Sequence, residues 1–182
     1  MPALSKFQVN LAFGEEGEKQ VAEMLLDKGW PVIPLYQYET NDAAPSLFLA
    51  EKDLILPDLQ IFGKENNLMW VEVKRKRQWV RYRNNIETGL NKRHAEHYLE
   101  IEKKTDAPVY IFFIHEKEKP EGVFYVRLKT AYENARFWNG LNFNGVKKSK
   151  PMVFFKKNSL VKFKGGKKWK KYLFHTHLPM IQ

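Results

Sequence analysis

The chain of 182 residues contains no cysteine. That absence excludes disulfide staples and thiolate zinc sites. Histidine and carboxylate remain as the strong side-chain ligands for a metal, which favours a hard, oxygen-bound cation. Long hydrophobic runs are also missing. Nowhere do about 18 apolar residues follow one another, as a bilayer span requires, and Met1 to Lys19 lacks the unbroken apolar stretch of a signal peptide. The expectation is a cytoplasmic protein with no membrane partner. No stretch is rich enough in Pro, Gly or Ser to mark a domain boundary, and no repeat recurs. With 43% apolar and 14% aromatic residues the chain can bury a core. A single domain over 1–182 follows, its core at about 12–128 and a C-terminal extension at about 129–182.

A further absence is local. From Asn134 to Gln182 there is no acidic residue, against Arg136 and eleven lysines. The chain's net charge is +10, so everything before Asn134 is close to neutral, at −2. A segment so one-sided in charge suits a polyanionic partner, whose counterions it would release. A solvated lysine surface would have the same composition.

The apolar pattern predicts a helix over Ala12 to Lys28, stopped by Gly29, and then a short strand at Val32 to Tyr36. Gln37 to Ala50 has the composition of a surface loop. Two strands, Leu54 to Phe62 and Leu68 to Lys74, flank the turn residues Gly63 to Asn67 and are expected to pair antiparallel. The stretch beyond Lys74 mixes arginines with Trp79 and Tyr82 and has no clear period. A helix is expected at Asn91 to Lys104, strands at Val109 to Ile114 and Val123 to Leu128, and a short helix near Thr130 to Phe137. The remainder alternates short apolar runs, Met152 to Phe155, Leu160 to Phe163 and Tyr172 to Phe174, with lysines, and would form a β-rich extension.

The feature that carries chemistry is Pro57-Asp58, thirteen residues, then Glu72-Val73-Lys74. Side chains alternate along a strand, so Glu72 and Lys74 share one face while Met69, Val71 and Val73 share the other. Paired as a hairpin, the neighbouring strand brings Asp58 near Glu72. Two carboxylates about 4–5 Å apart repel by roughly 3–4 kcal/mol at an effective dielectric near 20. A divalent cation offsets that repulsion, and Mg²⁺ favours a few carboxylate oxygens together with waters and phosphate oxygens. Lys74 could then orient or deprotonate a water, or balance phosphate charge. A Lewis acid, an activated water and nearby positive charge are what phosphodiester hydrolysis needs.

With these residues the sequence resembles the PD-(D/E)xK nuclease superfamily, which includes Holliday-junction resolvases, restriction endonucleases and phage exonucleases. The resemblance covers about Phe13 to Ile114. It implies an α/β, restriction-endonuclease-like αβββαβ core with a mixed central sheet. It also implies a helix before the motif that supplies a further acid, for which Gly14-Glu15-Glu16-Gly17-Glu18 with Val21-Ala22, Leu25-Leu26 and Gly29-Trp30 is the match. Glu18 is the implied residue, with Glu15 one turn earlier a competitor. The implied activity is Mg²⁺-dependent hydrolysis of DNA phosphodiester bonds, as an endonuclease or a junction-resolvase-like enzyme, with Mn²⁺ a substitute. Glu18, Asp58, Glu72 and Lys74 would be catalytic, and Asp58, Glu72, the Val73 carbonyl and Glu18 would ligate the metal. DNA contacts are expected from Lys76, Arg77, Arg81, Arg83, Lys92, Arg93, His94, Lys167 and Lys168, with Tyr98 beside His94 on the later helix. A homo-oligomer, foremost a dimer, and a bacterial, archaeal or phage source are further implications.

Other readings remain. Glu72 and Lys74 could be an ordinary exposed pair on an edge strand. His94 with His97, and His175 with His177, have spacings that could chelate zinc, but no third ligand accompanies either pair. Trp79 and Tyr82 could stack on bases or pack under arginine stems. The chain could be an exonuclease, a nucleic-acid-binding module without catalysis, or a basic RNA-associated protein. The last leaves the arrangement of Asp58, Glu72 and Lys74 unexplained.

Overall fold

The computed structural model describes residues 6–35, 46–50, 52–63, 67–141 and 149–164. The first helix, α1 (Lys6–Leu26), lays Val21, Ala22, Met24 and Leu25 against the sheet. It ends as expected at Gly29, whose φ of 79° admits the left-handed turn; the Trp30 N–H closes it on the Leu25 carbonyl at 3.1 Å. The helix begins earlier than the apolar pattern indicates, at Lys6 rather than Ala12.

The central sheet has six strands. In chain order these are β1 (Val32–Pro34), β4 (Leu59–Phe62), β5 (Leu68–Lys76), β8 (Val109–His115), β9 (Gly122–Arg127) and β12 (Val161–Lys162), and they lie side by side in that order. β5 and β8 are parallel and every other pair is antiparallel, so the sheet is mixed. The second helix, α2 (Lys92–Thr105), supplies the crossover between β5 and β8 that a parallel pair needs. Asn91 caps it, its side chain accepting from the Arg93 N–H at 2.9 Å. The order α1, β1, β4, β5, α2, β8 is the expected αβββαβ core.

Alternation on β5 divides the interior. Val71 and Val73 pack with Leu59, Ile61, Phe112 and Ile114 under α1, while Trp70 faces the other way, into a cluster with Tyr98 and Ile101 of α2 and Val109, Ile111 and Phe113 of β8. Each fully buried aliphatic side chain contributes about 1.5–3 kcal/mol. The central strands are therefore held from both faces. Arg75 ties α1 to the sheet. It bonds Glu116 through two contacts of 3.0 and 2.9 Å, pairs with Glu16, and lies 4.1 Å from the Phe13 ring centre.

Three expectations require correction. The run Leu54 to Phe62 is two strands, β3 (Asp53–Ile55) and β4, because Pro57 has no N–H to donate and breaks the ladder just before Asp58. β3 pairs instead with β2 (Ser46–Phe48), inside the stretch expected to be loop. The helix expected near Thr130 to Phe137 is α3 (Leu128–Tyr132), and Arg136–Trp138 is a strand, β10. The stretch after Lys76 is structured as well, as β6 (Val80–Tyr82) and β7 (Asn85–Asn91).

β6 and β7 belong to a second, antiparallel sheet in the order β10-β11-β7-β6, where β11 is Met152–Lys156. The described part of the C-terminal segment is thus β-rich as expected, and it is woven into both sheets through β11 and β12. Gly89 permits the β7–β11 contact. A Cβ there would lie 2.2 Å from the Val153 carbonyl oxygen. Tyr172 to Phe174, His175 and His177 lie outside the described residues.

Candidate active site

The register of β4 on β5 pairs Leu59 with Val71, so Asp58, immediately before β4, falls beside Glu72 where that ladder ends. Beyond this point the β4 side of β5 is open. The Trp70 N–H bonds the Pro108 carbonyl beside β8, so the even-numbered residues of β5 direct their backbone groups to β8 and the odd-numbered ones to the β4 side. Asp58 occupies the vacated position. Its Oδ2 accepts the Val73 N–H at 2.7 Å. In an extended strand the carbonyl of a residue points the same way as its N–H, so the Val73 carbonyl is directed to the edge that Asp58 caps.

Glu72 is 1% exposed, with one carboxylate oxygen paired to the Lys74 ammonium and the other making no hydrogen bond of good geometry, although the Tyr98 hydroxyl faces the carboxylate. A buried carboxylate oxygen without a donor is costly and calls for a cation or donor. Burial pushes the Asp58 carboxyl well above its ordinary range, and the negative charge of Glu72 adds to the shift. Glu18 is pushed up by burial and by Glu72 against the opposing pull of Lys74. Glu18 is thus the α1 carboxylate that senses the centre, whereas Glu15 is exposed. Burial acts against the charge on Lys74, but Glu72 and Asp58 outweigh it and raise its pKa, which keeps it an ammonium at neutral pH.

From α2, His94 and Tyr98 close the site. Tyr98 is buried, its hydroxyl 3.5 Å from His94 Nδ1, and its pKa is raised well above the ordinary value by burial and then by Glu72. His94 is held low by burial and by the Lys74 charge, with Lys150 also acting on it. Lys150 has no signal in the sequence as a site residue. It approaches because β11, entered through Pro151, pairs with β7 and so runs up to α2, whose Lys92 N–H bonds the Pro151 carbonyl at 2.9 Å.

Of the expected residues, Glu18, Asp58, Glu72, Val73, Lys74, Lys76 and His94 are brought together. Lys92 and Arg93 lie at the start of α2, Lys92 3.5 Å from Glu96. Arg77, Arg81 and Arg83 have partners of their own: Arg77 lies over Phe13, Arg81 pairs with Glu118 at 2.9 Å, and Arg83 lies over Tyr82. Trp79 is 3% exposed and stacks flat on His115 with ring centres 3.6 Å apart, so it packs rather than presenting a face to bases. His97 accepts the Ile55 N–H at 3.0 Å, a structural use. Lys167 and Lys168 lie outside the described residues.

The donor set fits a hard divalent cation. The carboxylates of Asp58 and Glu72, one Glu72 oxygen being buried without a hydrogen-bond partner, a third carboxylate from α1 and a backbone carbonyl are all oxygen ligands. Among the described residues, however, no three His, Asp or Glu side chains converge closely enough to form a metal cage, and Lys74 supplies the positive charge nearest Glu72.

The solved structures similar to this chain include two nucleases. One is the Holliday junction resolvase Hjc of the archaeal hyperthermophile Archaeoglobus fulgidus, with a TM-score of 0.48 and 11% identity, covering 80% of this chain and 90% of that one. The other is D212, a nuclease from a fusselovirus, with a TM-score of 0.43 and 12% identity, covering 89% of each chain. No family model matches the sequence, and no curated protein does. Among the described residues no helix is long and apolar enough to cross a membrane.

Proposed function

We propose that this protein is a divalent-metal-dependent DNA nuclease, with its reaction centre where β5 runs past the start of β4. The observation that carries this reading is the meeting of Asp58, Glu72 and Lys74 at an open strand edge, with Glu18 reaching the same place from α1. Asp58, Glu72, the Val73 carbonyl and Glu18 would hold Mg²⁺ or Mn²⁺. The bound ion would supply Lewis-acid polarisation of the phosphoryl oxygen and a more acidic water.

The chain's own residues set the rest. The Lys74 ammonium, paired with Glu72, is suited to orienting a water and balancing charge on the pentacoordinate phosphorus. The Asp58–Val73 bond fixes one carboxylate against the strand that carries the other, which is the rigidity such a centre needs. His94, Lys92, Arg93 and Lys76 would contact phosphates, with Arg77, Arg81 and Arg83 as further basic contacts; Lys167 and Lys168, outside the described residues, are proposed as DNA contacts from the sequence alone. Such contacts position the duplex without reading its sequence.

A second reading is favoured by one observation. Lys74 already neutralises Glu72, and among the described residues no three carboxylate or histidine side chains close into a metal cage, as in a nucleic-acid-binding module without catalysis. Cleavage assays on linear, circular, single-stranded and four-way-junction DNA with Mg²⁺ or Mn²⁺ separate the two. The nuclease reading expects cation-dependent cleavage that Asp58→Ala and Lys74→Ala abolish. DNA binding without turnover would replace it with the second, and the preferred substrate among the four would distinguish a junction resolvase from an endonuclease or an exonuclease.

A further inference from the structure

Lys76 stands two residues beyond Lys74 and four beyond Glu72 on β5, so the three side chains leave the same face of the sheet. It is half-buried. Among the described residues no carboxylate forms an ion pair with its ammonium: Glu72 is taken by Lys74, Glu16 and Glu116 by Arg75, and Glu118 by Arg81. The titratable groups facing it are Lys74 and Glu72 along β5 and, in register across on β8, His115. His115 offers no counter-charge. Burial and the Lys76 charge push its pKa down to about 4, so it is neutral at pH 7, with Nε2 3.2 Å from the Thr88 hydroxyl. Burial and then the Lys74 charge lower Lys76 itself to about 8, which still leaves it largely protonated at pH 7.

A desolvated ammonium without a counter-ion is costly. An anion would complete it. Two residues of strand advance about 6.6 Å, a step comparable with the separation of successive phosphates along one nucleic-acid strand. We propose that Lys76 forms a second phosphate subsite, holding the phosphodiester next to the one at Lys74. This rests on the nuclease reading and adds to it that at least two consecutive phosphates of one strand are held along β5, so the substrate is a polynucleotide strand that continues past the cut.

The test uses the full chain in an Asp58→Asn background with chelator, so that binding is read without cleavage, and a fluorescein-labelled duplex carrying single methylphosphonate substitutions scanned along one strand. Adding Lys76→Met should weaken binding on the order of tenfold at low salt and reduce the slope of log Kd against log salt by about 0.9. Lys76→Arg should restore both. One methylphosphonate position should show no further loss with Lys76→Met, and parent protein should cut at the adjacent phosphate. Because the ammonium has no internal partner, Lys76→Met should also melt at or above the temperature of its background. An unchanged salt slope, losses that add at every phosphate, or a clearly lower melting temperature would overturn the subsite. If parent protein cuts nothing while the binding results hold, the nuclease reading fails and the phosphate site stands.

Discussion

Replacing Asp58 with asparagine should make the metal-free protein more stable at pH 7 while removing its response to Mg²⁺. The Asp58 carboxyl is desolvated and faces Glu72, and together these lift its folded-state pKa well above the ordinary 3.8. A carboxyl raised on folding carries no ionisation penalty below its unfolded pKa, and the penalty grows as pH rises through the folded value. Asparagine keeps an oxygen for the Val73 N–H, so the hydrogen bond survives and the charge is lost. Two carboxylates about 4–5 Å apart repel by roughly 3–4 kcal/mol at an effective dielectric near 20. With Lys74 offsetting part of the repulsion, a net gain of about 1–3 kcal/mol is expected, or a rise of roughly 3–10 °C in Tm for a domain of this size. The gain should vanish by about pH 4. Saturating Mg²⁺ at about 100 times its Kd should stabilise the parent by about 2.7 kcal/mol and the variant hardly at all. Thermal melts at two pH values, with EDTA and with Mg²⁺, read all four combinations. A variant less stable than the parent in EDTA at pH 7, or stabilised by Mg²⁺ as much as the parent, would refute the reasoning.

Lys74→Met should leave the buried Glu72 carboxylate without its partner, lowering stability by about 3 kcal/mol in metal-free urea unfolding at pH 7 and reducing cleavage at least about 100-fold. Gly89→Ala should cost on the order of 3 kcal/mol or more, because its Cβ would collide with the Val153 carbonyl; an unchanged denaturation midpoint would contradict the close β7–β11 contact. Stability should fall by up to about 3 kcal/mol between pH 6.5 and about 4, where the unfolded chain protonates His115 and the folded one does not. His115→Gln should remove that part of the slope in pH-dependent unfolding.

The αβββαβ core was legible because its strands are apolar at the right period and its helices have plain stops. β5 shows this best, since Val71 and Val73 must go one way and Glu72 and Lys74 the other. Where the reading failed, tertiary partners had overridden local pattern. β7 reads as polar, yet it buries Glu87, Thr88 and Gly89 because Arg136 reaches Glu87, His115 reaches Thr88, and the missing side chain at Gly89 lets β11 approach. No window around residue 87 contains those partners. The break at Pro57 shows the opposite case. Proline's effect was readable in principle, and the apolar residues on either side of it concealed two strands as one. The pairing of Asp58 with Glu72 followed from hairpin register alone. The direct pairing of Lys74 with Glu72 could not be read from alternation, since side-chain reach decides it.

The central claim is that Glu18, Asp58, Glu72 and Lys74 form a metal-dependent hydrolytic centre. Incubating purified parent protein and its Asp58→Asn and Lys74→Met variants with a mixture of labelled linear duplex and four-way-junction DNA, with Mg²⁺ and with EDTA, tests it most directly. Cleavage by the parent in Mg²⁺ alone, and by neither variant, is the predicted result. Cleavage that persists in EDTA or in both variants, or binding with no cleavage by the parent in Mg²⁺ or Mn²⁺, would contradict it.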